Sequence, residues 1–209
     1  GAGVTEGRPT AGELTPHAPP TVGSLLVDAA PQNSGKRNPS LDLRHPEASG
    51  LVGRLAGQVA VVLETYRPGV MDRLGLGWDT LSARNPRLVM ASISGYGQTG
   101  EWRDRRAYAV VIHAEMGLIE AGARWRADAA GDPGSAVDLQ DGMSHADVYA
   151  GLHCTSAILA ALFQRERTGH GQWVEVDMAG ALLHANDFTH WDLAATGPLL
   201  RIPSAYHFH

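Results

Sequence analysis

The chain has 209 residues, 44% of them hydrophobic and 19% charged, which is enough apolar material for one large domain with a real core. Its net charge of -5 argues against nucleic-acid binding by bulk electrostatics, and its single cysteine, Cys154, excludes an internal disulfide framework or a thiolate metal cage. No apolar run reads as long enough to span a bilayer and no charged-then-apolar leader stands at Gly1, so a cytoplasmic protein with neither a membrane nor a nucleic-acid partner is expected.

Residues 1–39 are rich in Gly, Pro, Thr and Ala and read as a loosely structured arm with at most one strand, around Val22–Val27. An α/β core is expected over 40–192, followed by a C-terminal extension over 193–209. The core opens with a short strand signal at Ser40–Leu43 and a helix from about Pro46 to Ala56, with proline in the first turn where a missing N–H costs nothing. Val59–Glu64 is a continuous, mostly β-branched apolar run, the pattern of a strand buried on both faces of a parallel sheet. Arg67-Pro68-Gly69 ends it, short helices fit Val70–Leu74 and Trp78–Asn85, and Arg87–Ile93 is the next buried strand.

Strand, helix, strand in this rhythm predicts right-handed βαβ units, with ligands at the carboxyl ends of the strands. The loops Thr65–Gly69 and Ser94–Arg106 both leave strands at that end. Farther on, a helix is expected from Ala107 to about Gly122 and a polar loop from Ala123 to Gly142. A long helix then runs from Asp147 to Arg167, with Leu152, Ile158, Leu159, Leu162 and Phe163 as its core stripe and Cys154 as a buried structural thiol. Gly169-His170-Gly171 stops it, Trp173–Asp177 alternates as a strand, and Met178 to about Thr189 returns to helix.

Each polar motif carries two readings. Asp147 suits a helix start structurally, because its oxygens accept orphan N–H groups and its charge meets the positive end of the helix dipole; the same place suits a carboxylate nucleophile. Arg67-Pro68-Gly69 is a tight turn or a rigid exit that aims Tyr66 and Arg67 at the strand ends. Gly95, Gly97 and Gly100 let backbone approach a ligand, but the loop lacks the Gly-Lys-Ser/Thr ending of a phosphate P-loop. Arg103, Arg105 and Arg106 form a solvated basic face or an anion site. None of the ten histidines has metal-ligand spacing, and His145, His153 and His170 read as surface or packing residues.

The ordered set of blocks resembles the family III CoA-transferases, the group that includes formyl-CoA transferase, carnitine CoA-transferase and methylacyl-CoA racemase. The blocks are Glu64–Gly77, Asn85–Val89, Ser92–Gly100, Arg103–Tyr108 and the Asp147 segment through Gln172. The resemblance implies a partial version of that family's large domain, a Rossmann-like parallel sheet with flanking helices. It implies that Asp147 is the nucleophile of a transfer from an acyl-CoA thioester to a carboxylic acid, through an aspartyl-CoA thioester. Thr65, Tyr66, Arg67, Arg73, Leu74, Gly97, Gln98, Arg106 and Tyr108 match positions around coenzyme A, with Thr65 standing where Asn is commoner. Coenzyme A or acyl-CoA is then a substrate, with no permanently held cofactor and no metal.

The racemase branch uses a histidine where this chain has Tyr108, which favours transfer, although His113 lies farther along the same predicted helix. Family members are longer chains that form interlocked homodimers. Their opening βαβ unit would precede Asn33, where residues 1–32 do not resemble it, and their smaller domain would follow His209, so a truncated, catalytically silent homologue acting as a binding or assembly piece stands as the alternative.

Overall fold

The computed structural model describes residues 3–5, 21–22, 25–26, 34–37, 40–139 and 142–185. The extension expected over 193–209 lies outside them, as does most of the arm. Where the arm is described it forms an antiparallel pair, β1 (Thr21–Val22) and β2 (Leu25–Leu26), in place of a single strand.

The core is a parallel sheet. β3 (Val61–Glu64), β4 (Val89–Ser94) and β5 (Trp173–Asp177) pair in that order, with Glu64 beside Ser92 and Ser94 beside Asp177. Helices α1 (Ala48–Ala56), α2 (Val70–Arg73) and α3 (Trp78–Arg84) connect and flank the first two strands. Helices α4 (Ala109–Glu115), α5 (Leu118–Ala130) and α6 (His145–Thr168) form the crossover to β5, and α7 (Met178–Ala185) follows it. Successive β4 residues alternate between two apolar cores, as the pleat requires. Met90 packs with Leu76, Leu81 and Leu88 on the α1–α3 side, while Ile93 packs with Ile112, Ala146, Ala150 and Leu182 on the other. The expected α/β layering is therefore observed.

Several local expectations need correcting. Ser40–Leu43 is not a strand: the Asp42 carboxylate accepts from the Arg44 N–H at 3.0 Å and from its guanidinium, closing a turn. β3 is not buried on both faces. It is the outer strand of the described sheet, and Leu63 is 55% exposed. The single helix expected from Ala107 divides at Gly117, which adopts φ 76°, a left-handed conformation that glycine takes without steric cost. The second piece, α5, continues through what was expected to be loop, as far as Gly131.

The long helix α6 buries its small side chains and exposes its large ones. Ala146, Ala150, Cys154 and Ala161 face the core, whereas Leu152, Leu159 and Phe163 of the expected core stripe are at least 60% exposed. Small residues allow the helix to lie close against β4, β5 and α7. The expectation about bilayer-length runs is also corrected. α6 has 24 residues and a mean hydropathy of 1.4 over its most apolar window, so by length and composition it could cross a membrane. Here it lies against the sheet as a covering helix.

Candidate active site

The site lies where the strands end, and the turn after β3 supplies its floor. Glu64 closes the strand with only 8% exposure, and its Oε2 accepts from the Tyr66 N–H at 2.8 Å. Burial pushes the Glu64 carboxyl above the usual range, opposed by hydrogen bonds from Ser92 and the Tyr66 N–H. Ser92 in turn accepts from the Trp173 indole at 2.9 Å, so one polar chain spans β3, β4 and β5 beneath the Thr65–Gly69 turn. A network satisfied in this way fixes geometry in a place where an orphaned buried group would be costly. Gly69, at φ 75°, ends the turn and starts α2.

The loop after β4 is held just as specifically. The Ser94 hydroxyl accepts from the Gly97 N–H at 3.0 Å. A Cβ on Gly95 would stand 2.1 Å from the Cβ of Ala107, so this glycine permits the loop to fold back on itself. Arg105 is consumed by structure: it donates to Glu115 at 2.7 Å and lies 4.6 Å from the centre of the Trp102 ring, while the Tyr96 hydroxyl donates to the same carboxylate. This environment pushes the Tyr96 phenol up to about 12, through burial first and Glu115 second. Arg103 pairs with Asp104 at 3.4 Å, an exposed pair worth little.

Asp147 comes from the first turn of α6, and Ser144 rather than Asp147 is the N-cap residue. The carboxylate is therefore not spent on capping. It stands at the rim of a cavity of about 400 Å3 whose walls include Thr65, Tyr66, Arg67, Arg103, Arg106 and Tyr108. Burial raises the Asp147 carboxyl above its ordinary range, opposed by a hydrogen bond from Ser144. A carboxylate that lines the same cavity as guanidinium groups, at the positive end of a long helix, suits a nucleophile or base near an anion site.

Of the residues expected from the sequence, Thr65, Tyr66, Arg67, Arg106, Tyr108 and Asp147 thus line one cavity. Gln98 lines an adjoining cavity of about 190 Å3 with Arg67, Glu64, Ser92 and Trp173, and its Nε2 is buried with no hydrogen-bond partner among the described residues. Gly97, at φ 89°, shapes the loop between them. Arg73 and Leu74 line neither cavity; Leu74 packs beside Met71 and Leu81. Among the wall and support residues not anticipated are Ala150, Met178 and Glu64. Ala150 follows Asp147 by three residues and Met178 begins the helix after β5, so helical spacing and the strand-end rule applied to β5 would have found both.

Comparison with known proteins finds relatives over most of the chain. The sequence profile of CoA-transferase family III matches residues 1–204. The succinyl-CoA–L-malate CoA-transferase beta subunit of Chloroflexus aurantiacus is 36% identical over 156 residues, covering 75% of this chain and 36% of that protein. A formyl-CoA:oxalate CoA-transferase of Streptomyces avermitilis is 36% identical over 152 residues, covering 73% and 35%. Among solved structures, a CAIB/BAIF family protein from Brucella suis superposes with a TM-score of 0.81 at 29% identity, covering 94% of this chain and 51% of that one. The chain thus spans about a third of the length of the curated relatives it matches and about half of the solved chain.

Proposed function

Because the chain belongs to CoA-transferase family III, we propose that it carries the nucleophile and much of the CoA cradle of a transferase moving CoA from an acyl-CoA thioester to a carboxylic acid. The observation that supports this most is the Asp147 carboxylate on the rim of a cavity whose walls also hold Arg103 and Arg106. Guanidinium groups suit the diphosphate and 3′-phosphate of CoA, and the carboxylate is ionised near neutral pH without a separate base.

In the proposed reaction an Asp147 oxygen attacks the thioester carbonyl. The C–S bond breaks, CoA leaves as thiolate, and a mixed anhydride remains. The thiolate then attacks the aspartyl carbonyl, expelling the donor acid as carboxylate and leaving an aspartyl-CoA thioester. The acceptor carboxylate attacks that thioester, and the returning thiolate takes the acceptor acyl group, which frees Asp147. No net proton moves, and the thioester is conserved by dividing one transfer into steps. A racemase would need a second acid/base group facing the substrate. His113, the candidate for it, is 1% exposed and its Nε2 already accepts from a backbone N–H.

The relatives' names pair succinyl-CoA with L-malate and formyl-CoA with oxalate, so acyl-CoAs of short acids, with dicarboxylates as acceptors, form the proposed substrate class. A homodimer and a cytoplasmic location belong to the same proposal. The test is the intact mass of the chain after incubation with succinyl-, formyl- and acetyl-CoA, beside Asp147→Ala. A hydroxylamine-sensitive CoA adduct on the wild type alone is expected. A folded chain that binds CoA yet never forms the adduct would instead favour the silent homologue.

A further inference from the structure

Helix α6 begins without a side-chain cap of its own, since Ser144 makes no capping hydrogen bond. First-turn N–H groups need partners from elsewhere, all the more when they are buried. Ala146 is 0% exposed, and its N–H donates at 3.1 Å to Nε2 of His113, a residue of α4 that is itself 1% exposed. A ring nitrogen that accepts a hydrogen bond carries no proton there, which assigns His113 as the neutral tautomer with its hydrogen on Nδ1. A histidine in a core position is costly unless bonded, so this contact also explains why the buried ring is tolerated on a helix that packs into the core through Ile112.

The peptide held in this way leads directly into Asp147. The His145 ring lies 5.6 Å from that of His113 and 5.9 Å from that of Tyr149, completing a shelf of side chains around the helix start. We propose that His113 is a positioning residue: by accepting the Ala146 N–H it sets the first turn of α6, and with it the direction from which the Asp147 carboxylate enters the cavity. The inference rests on reading Asp147 as the nucleophile. His113 acts through the backbone and does not touch substrate, since it is absent from the cavity walls.

Two variants separate this role from plain core packing. His113→Leu keeps a similar apolar volume and removes the acceptor; His113→Gln restores an acceptor oxygen. For the full chain with an acyl-CoA donor, His113→Leu is expected to lower kcat roughly 10- to 100-fold with KM for acyl-CoA unchanged, the scale expected of a slightly misplaced group. His113→Gln should recover most of it. Long-range nitrogen–proton NMR of the wild type should show Nε2 unprotonated, and the Ala146 amide resonance should move in His113→Leu and return in His113→Gln. An Nε2-protonated tautomer, or a His113→Gln variant as impaired as His113→Leu, would overturn the proposal. If the wild type shows no turnover, the transferase reading fails separately. The tautomer and the Asp147 carboxyl carbon resonance, shifted in His113→Leu and restored in His113→Gln, then decide the positioning role alone.

Discussion

At the scale of the residue, what distinguishes Asp147 is that a favourable helix-capping residue has been left to the cavity. Ser144 occupies the N-cap, and His113 serves the Ala146 N–H from another helix. The cost shows in the ionisation of the carboxyl, which burial raises. The folded chain therefore holds this proton more tightly than the unfolded chain, so the group's stabilising contribution is complete below the unfolded value of about pH 4 and is lost as pH rises through the higher folded value. Asp147→Asn cannot ionise. Its Tm should exceed that of the wild type at pH 7, with the difference closing toward pH 4 in thermal melts, while transfer falls on the order of 10^4-fold or more. Arg106 is tested by binding. Arg106→Ala should weaken CoA about 10- to 100-fold by calorimetry, the worth of one or two charge-assisted hydrogen bonds, and 3′-dephospho-CoA should show which phosphate it meets. Arg105→Ala, by contrast, removes one of the two donors to Glu115 and the cover of Trp102, so its effect should register first in loop order.

At the scale of the element, periodicity located the three strands of the parallel sheet and the long helix within a few residues, but it read a strand into Ser40–Leu43 and mistook which faces were buried. Leu152, Leu159 and Phe163 have the spacing of a core stripe, yet the sheet accepts the Ala and Cys side of α6, because close packing of a helix on a sheet rewards small side chains at the contact. The break at Gly117 was readable only in part: glycine inside a helical pattern is tolerated often enough that one residue does not declare a left-handed turn. Gly171 is a clearer case. A Cβ there would stand 1.7 Å from the Leu88 carbonyl oxygen, against backbone that cannot rotate aside, while its own N–H donates to the Pro86 carbonyl at 2.8 Å. Gly171→Ala should displace β5 from β4 and cost about 1–3 kcal/mol or more, lowering Tm by about 2–4 °C per kcal/mol in a chain of this size. An unchanged melting curve would mean that the two strands separate freely at this point.

At the scale of the whole molecule, the described sheet has β4 at its centre and leaves both β3 and the outer face of α6 with exposed apolar groups, among them Leu63, Val148, Leu152, Leu159 and Phe163. Apolar surface of this kind favours association that strengthens with salting-out ions, the opposite of an ion-pair interface. Sedimentation equilibrium should therefore show self-association of the wild-type chain that grows in sulfate, and Leu159→Glu with Phe163→Glu should reduce it without altering the circular dichroism. A wild type that stays monomeric throughout would refute this. By itself the sequence determined the α/β class, the order of the three parallel strands and the long helix, and most of the motif residues that turn out to share a cavity. These follow from local causes: strand and helix periods, Pro-Gly exits, and loops that leave parallel strands at one end. Only the tertiary structure decided which side of α6 is buried, that Arg105 borders the cavity with Arg103 and Arg106 while also being pinned to Glu115, and that His113 holds the peptide before Asp147. Each of those depends on residues far apart in the chain meeting in space, and hydrophobic period and residue type carry no record of which partner will be there.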